Sequence, residues 1–205
     1  MRILLLGAEG RTGREVLRLL LRKGETVTAI VREPNQLTDF EHRNPTINIA
    51  DPTHEPSLVP IVYGHDAVIS ALEPRLPKSK QGLEYSESGN AIVRAMKRTG
   101  VRRLIVTSTA LLFPDQGFFS RLLARFARPM VRDAEKMETS IRTIGIDWTI
   151  VRLGHLTNGF DLNYRFVKDR PIEGSNAITR SGAANFIVNA IEQPEYKNTY
   201  IGLGR

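Results

Sequence analysis

Three glycines stand at Gly7, Gly10 and Gly13, within the run Gly7-Ala8-Glu9-Gly10-Arg11-Thr12-Gly13. A three-glycine pattern carries little by itself. Here it directly follows the apolar run Ile3-Leu4-Leu5-Leu6 and opens an amphipathic stretch, and the next β-branched run begins at Thr26. In that setting each glycine has a task. Gly7 permits a tight turn, Gly10 lets the backbone approach a pyrophosphate, and Gly13 lets helix and strand pack closely. The helix amino terminus, with Arg11 and Thr12 in its first turn, offers unpaired N–H donors and partial positive charge to phosphates. The spacing points to a dinucleotide site. No Gly-Lys-Ser/Thr follows, which argues against a nucleoside triphosphatase.

The end of the second β-branched run bears on which dinucleotide. An NAD site places an acidic side chain there, to accept hydrogen bonds from ribose hydroxyls. This chain has Arg32 there and Arg11 in the glycine loop, and guanidinium forks suit a 2′-phosphate. NADP(H) is favoured over NAD(H), against the counter-reading of a solvated surface arginine and with Glu33 adjacent. Asp51, after the third run, suits either an adenine edge or the cap of the short helix that follows. His155 follows the sixth strand, where a cleft should open, and reads either as a substrate donor and proton relay or as a structural loop histidine. His42, His54 and His65 show no metal-ligand spacing, and no metal is expected.

The elements that must position these residues follow from periodicity. Short β-branched runs at Arg2–Leu6, Thr26–Val31, Thr46–Ala50, Ala67–Ala71, Arg103–Ser108, Trp148–Leu153 and Thr199–Leu203 read as strands. Helices are expected over Arg11–Lys23, Glu55–Val62, Ser86–Thr99, Asp133–Ile144 and Ser181–Glu192. Gly24, Gly100 and Gly145 serve as helix stops, and Ser181 as a cap. The alternation implies a single-domain α/β Rossmann fold over residues 1–205, doubly wound around a parallel sheet of roughly six to seven strands. Residues 72–82, 112–132 and 156–178 read as looser segments. Within the second of these, Arg121, Arg125, Arg128 and Arg132 alternate with Leu122, Leu123, Phe126 and Met130. This is either a solvated charged face or an anion clamp over the cleft, with membrane or nucleic-acid contact the weaker reading.

Composition sets the outer bounds. The 205 residues are 41% hydrophobic and 25% charged, which suits one sizeable core. There is no cysteine, so disulfides, thiolate catalysis and iron–sulfur clusters are excluded together. The net charge is +7, but the basic residues are scattered, so an anionic cofactor and solubility account for them without nucleic acid. The first apolar run is too short for a signal peptide, and no stretch approaches the roughly 18 apolar residues of a membrane span. A cytoplasmic protein without membrane contact is expected, as a monomer or weak homodimer.

Taken in order, several segments resemble a known family. These are the glycine loop, Val31-Arg32, Asp66-Ala67-Val68-Ile69-Ser70-Ala71, Val106-Thr107-Ser108-Thr109-Ala110, Asp147-Trp148-Thr149-Ile150-Val151-Arg152-Leu153-Gly154 and Ile178-Thr179-Arg180. The chain is similar to the atypical short-chain dehydrogenase/reductases, and within them to the biliverdin reductase B and NAD(P)H-flavin reductase group. The resemblance implies that Ser70 and Ala71 line the pyrophosphate side. It puts Thr107, Ser108 and Thr109 near the nicotinamide, and Leu153, Gly154 and His155 beside its carboxamide, with Ser108, Thr109 and His155 as the catalytic candidates. Two departures stand out. Glu9 replaces a usual threonine and must point away from the pyrophosphate, and Leu153 replaces a usual proline.

Conventional members use a Tyr-x-x-x-Lys pair on the helix before the sixth strand. That helix carries Lys136 but no tyrosine, and Tyr164-x-x-x-Lys168 falls after the strand. Without that acid a ketone is a hard acceptor, because its developing alkoxide needs a proton. Flavins, quinones and linear tetrapyrroles delocalise the charge they receive. The sequence therefore points to an NADPH-dependent reductase of a small conjugated acceptor; an NADP(H)-binding redox-sensing regulator without turnover is the second reading, and an isomerase or epimerase the third.

Overall fold

The computed structural model describes residues 1–33, 35–43, 45–72, 84–114, 118–174 and 177–205. The chain opens with β1 (Arg2–Leu6), α1 (Arg11–Arg22), β2 (Thr26–Val31), β3 (Thr46–Ile49), α2 (Glu55–Val62), β4 (Ala67–Ser70), α3 (Glu84–Thr99) and β5 (Arg103–Thr109). It continues through α4 (Phe118–Phe126), α5 (Arg128–Thr143), β6 (Asp147–Leu153), β7 (Leu156–Thr157), β8 (Arg165–Lys168), β9 (Ile178–Thr179), α6 (Arg180–Asn189) and β10 (Thr199–Gly204).

Burial on both faces explains why the central strands read as continuous apolar runs. Ile3, Leu4, Leu5 and Leu6 of β1 are all fully buried, and they alternate between two cores. Ile3 and Leu5 face α1 and α6, where Val16, Leu17, Leu20 and Phe186 pack. Leu4 and Leu6 face the opposite layer, built by Leu58 of α2, Ile92 and Met96 of α3, and Met137 and Ile141 of α5. The eight-stranded sheet runs β3-β2-β1-β4-β5-β6-β10-β8, parallel throughout except between β10 and β8. The expected Rossmann architecture is present, and strand order reverses between β1 and β4. β7 and β9 form a separate two-stranded ribbon.

Several expectations are corrected. The segment 156–178 holds β7, β8 and β9 rather than only loop, so the sheet gains an eighth, antiparallel edge strand. The segment 112–132 holds α4 and the first turn of α5, which starts at Arg128 instead of Asp133. Pro129 lies in that first turn, where its missing N–H has no partner to lose, so it opens α5. The cap of α6 is Thr179 and not Ser181: the Thr179 hydroxyl accepts from Gly182 N at 3.0 Å. Ser181 instead donates to Gly159 O at 2.8 Å. α6 ends at Asn189 instead of Glu192. There the guanidinium of Arg103 donates to Ala190 O at 2.6 Å and Ile191 O at 2.9 Å, a cation at a helix carboxyl end. Burial pushes Arg103 down to about 10, opposed by Asp147, so it stays protonated at neutral pH.

The Tyr164-x-x-x-Lys168 spacing lies at the sheet edge. Tyr164 packs edge-on against Phe186 at 5.5 Å between ring centroids, and Lys168 donates to Glu195 O at 2.8 Å. Phe186 also meets Phe166 at 5.6 Å and Tyr196 at 5.4 Å, so one buried ring joins α6 to β8. Phe186→Ala should therefore destabilise the protein by about 3–5 kcal/mol, the range for a buried aromatic truncation. Urea unfolding of the variant measures this, and a loss below about 1 kcal/mol would mean that β8 does not depend on the ring.

Candidate functional site

The carboxyl ends of the parallel strands meet in one crevice. Register pairs Leu6 with both Ile30 and Ser70, Ser70 with Val106, and Thr109 with Leu153. Gly7, Ala71, Thr109 and Gly154 thus lie along one edge of the sheet, and the glycine loop lies where strand order reverses. Open α/β sheets bind ligands at such a switch point.

The three glycines are required for different reasons. Gly7 has φ +75°, and a Cβ there would stand 2.9 Å from the Ala71 carbonyl. At Gly13 a Cβ would lie 1.9 Å from Gly7 O, an impossible overlap, so the bare helix turn sits directly on the end of β1. Gly10 differs. Its added Cβ meets only Gly7 O, at 3.2 Å, and otherwise faces open space. Folding thus demands Gly7 and Gly13 and leaves open space beside Gly10. Gly10 is the N-cap of α1 with no side-chain cap, and the first turn holds no acidic residue. Arg11 there is exposed and Thr12 buried. A helix end of this kind suits a pyrophosphate.

Beyond the loop lies a pocket lined by Leu6, Gly7, Glu9, Ile30, Val31, Arg32, Ala50, Pro52 and Leu72. Apolar walls with one cation and one carboxylate fit an adenosine end. The loop after β2 is tied down by Arg14, a residue the sequence reading passed over. Its guanidinium donates to both carboxylate oxygens of Asp39 at 2.6 Å and to Gln36 O at 2.6 Å. Although burial alone would raise it, the Asp39 carboxyl is held below its ordinary range by Arg14. Gln36 Oε1 then accepts from the backbone N–H of Arg32 at 3.0 Å and of Glu33 at 3.3 Å. Asp51 accepts from Thr53 N at 2.8 Å and Thr53 Oγ1 at 2.7 Å, and these donors, with Arg32 nearby, lower its pKa. It shapes the turn before α2, whose N-cap is His54.

At the other end, the hydroxyls of β5 are engaged within the protein. Thr107 Oγ1 donates to Leu72 O at 2.7 Å, and Thr109 Oγ1 accepts from Leu111 N at 3.2 Å. Ser108 Oγ donates to Glu138 Oε1 at 2.6 Å, on the α5 side of the sheet. Alternation along the strand separates it from Thr107 and Thr109. Glu138 is itself gripped by Arg152, at 2.6 and 3.1 Å, and both side chains are almost wholly buried. Arg152 also lies 4.1 Å from the Tyr200 ring centroid and 4.6 Å from that of Phe113. Asp133 accepts from Tyr85 N at 3.2 Å and Ser86 N at 3.3 Å, fixing the start of α3 against α5. The Tyr85 hydroxyl donates to Thr107 O.

Leu153 is buried, Gly154 half-buried and His155 exposed. The His155 carbonyl accepts from Ile178 N at 3.0 Å, which joins the loop after β6 to β9. Leu122, Leu123 and Phe126 of α4 are exposed together with Arg125; the side chain of Arg121 and most of segment 72–82 lie outside the described residues. Among the described residues, no cluster of three His, Asp or Glu could hold a metal, and no helix is long and apolar enough to cross a membrane.

Comparison with known proteins agrees with this fold. The family model for NAD(P)H-binding proteins matches residues 7–194. The chain belongs to the NAD(P)H-binding family. It is 26% identical over 217 aligned positions to YwnB of Bacillus subtilis, covering 97% of this chain and 95% of that protein. A wide-type short-chain dehydrogenase/reductase of Veillonella parvula, solved in complex with NADP, superposes with a TM-score of 0.79 at 21% identity, over 100% and 94% of the two chains. ChuY, an anaerobillin reductase of Escherichia coli O157:H7, gives 0.80 at 17% identity, over 98% and 96%. At these identities the structures share a fold with this chain.

The asymmetry among the glycines is testable. Gly10→Val should keep a cooperative melt, since its Cβ meets only Gly7 O, at 3.2 Å, and should lose both NADPH and NADH if a pyrophosphate approaches the backbone there. Calorimetric titration of the folded variant checks this, and unchanged NADPH binding would remove the fingerprint from the site.

Proposed function

We propose that the chain, as one domain over residues 1–205, is an NADPH-dependent reductase that passes hydride to a small conjugated acceptor: a flavin, a quinone or a linear tetrapyrrole. The observation that carries this is the α5–β5 contact. The α5 side chain that meets Ser108 is Glu138, locked to Arg152, and α5 has no tyrosine. With no phenol on that helix to protonate an alkoxide, an acceptor that delocalises charge is favoured, and water can supply the proton. The fold shared with ChuY is compatible with a tetrapyrrole but does not choose among the three.

When bound, the dihydronicotinamide supplies the hydride. The chain's residues bind and position. Gly7, Gly10, Arg11, Thr12 and Gly13 would hold the pyrophosphate, with Ser70 and Ala71 alongside. Arg32 would pair with the 2′-phosphate, and Asp51 orders the turn beside the adenine. Thr107, Thr109, Leu153 and Gly154 would form the shelf under the nicotinamide. His155, exposed in the loop after β6, would donate to the acceptor. Ser108 would act through its bond to Glu138, as a positioning residue. The deciding experiment is NADPH oxidation against flavins, quinones and biliverdin; tight binding without turnover would replace this reading with that of an NADP(H)-sensing regulator.

Arg32→Ala should weaken NADPH binding by about 1.5–3 kcal/mol, the worth of hydrogen bonds to a charged group, and leave NADH nearly unchanged. Equal loss for both cofactors in titration would contradict the assignment. Single-turnover oxidation separates the shelf from the sheet edge. Tyr164→Phe should lose less than about fivefold, well short of the roughly 100-fold expected on removing a general acid. Thr109→Leu should slow hydride transfer more than cofactor binding, by misplacing the ring. The reverse pattern would move the active site to Tyr164.

A further inference from the structure

Glu9 holds the second position after Gly7, and its backbone is fixed: Gly10 N donates to Gly7 O at 3.0 Å, and Glu9 O accepts from Arg14 Nε at 3.4 Å. Glu9 lines the proposed adenosine pocket together with Arg32. Its Oε2 is buried and has no hydrogen-bond partner among the described residues. A buried carboxylate oxygen wants a donor, and leaving it without one is unfavourable. A ligand hydroxyl reaching that oxygen would supply the donor.

Dinucleotide sites ordinarily commit to one chemistry. An acid accepts from the ribose 2′-hydroxyl of NAD(H), or an arginine takes the 2′-phosphate of NADP(H). This pocket contains both, with the acid on the glycine loop instead of the end of β2. We infer that Glu9 is a specificity-determining residue that accepts the ribose 2′-hydroxyl of NAD(H) and opposes the 2′-phosphate that Arg32 attracts. The site therefore takes both cofactors, and its preference for NADP(H) is smaller than Arg32 alone would give. Discrimination here works through repulsion as much as attraction. The inference rests on the nucleotide reading of the pocket proposed above.

The test is titration of NADPH and NADH into the parent protein, Glu9→Gln and Glu9→Thr. Glutamine keeps the length of the side chain and removes its charge, and threonine shortens it. Removing the like charge should tighten NADPH about tenfold in Glu9→Gln, while NADH stays level or weakens, so the ratio of affinities moves at least tenfold. Glu9→Thr should move the ratio the same way and provides the measurement if the glutamine variant folds poorly. An unchanged ratio, with both cofactors still bound, overturns the inference and leaves the nucleotide site standing. A parent protein that binds neither cofactor overturns both.

Discussion

The contact between the first turn of α1 and the end of β1 governs much of this molecule. A side chain at Gly13 would overlap Gly7 O, so the helix can lie this close only if that position is bare. The closeness aims the helix end, with its N–H donors, into the crevice where strand order reverses. It also sets where Glu9 and Arg14 leave the backbone. Arg14 then reaches across to Asp39 and Gln36, and Gln36 holds the amides of Arg32 and Glu33. One backbone approach thereby places the open helix end, the pocket beyond it and the loop that borders it. Because that loop is already tied down, a ligand entering the pocket has less chain to order on binding.

A second constraint lies between β5, β6 and α5. Taking Arg152 and Glu138 out of water is expensive, and the structure compensates through short bonds between them, a third bond from Ser108, and the faces of Tyr200 and Phe113. Such a group tolerates little rearrangement, because any partner left alone would be a buried, unpaired charge. The strand ends that carry Thr109 and Gly154 are thus held by neighbours with one favourable arrangement.

Much of the fold was legible because the parallel strands are buried on both faces and read as apolar runs; the glycine loop declares its own context. The departures have definite causes. β8 has only four residues, three of them exposed, so no periodicity announces it. α5 starts five residues before Asp133 because Pro129 lies in its first turn, and a proline there looks the same in sequence as one that ends a helix. Thr179 and Ser181 are both hydroxyl residues, and only backbone geometry distinguishes the cap. In the candidate site the glycines, Arg32 and the β5 hydroxyls were legible by type. The partners that decide their chemistry were less so, since Arg14 finds Asp39 25 residues away and Ser108 finds Glu138 30 residues away. One signal was available: Arg152 sits inside an apolar strand, and a charged residue there demands a buried counterpart.

The short antiparallel strand at the sheet's margin has a consequence for how copies of the chain can meet. Left bare, the outer side of β10 would offer six residues of unpaired backbone, a template on which another sheet could grow. β8 covers that template, and then presents only four residues of its own, with Arg165 and Lys168 at its two ends. Charge and brevity together make it a poor seed for sheet-to-sheet growth. At the opposite margin β3 is equally short. Both edges thus discourage runaway polymerisation through the backbone, leaving helix and loop surfaces as the available ground for self-association.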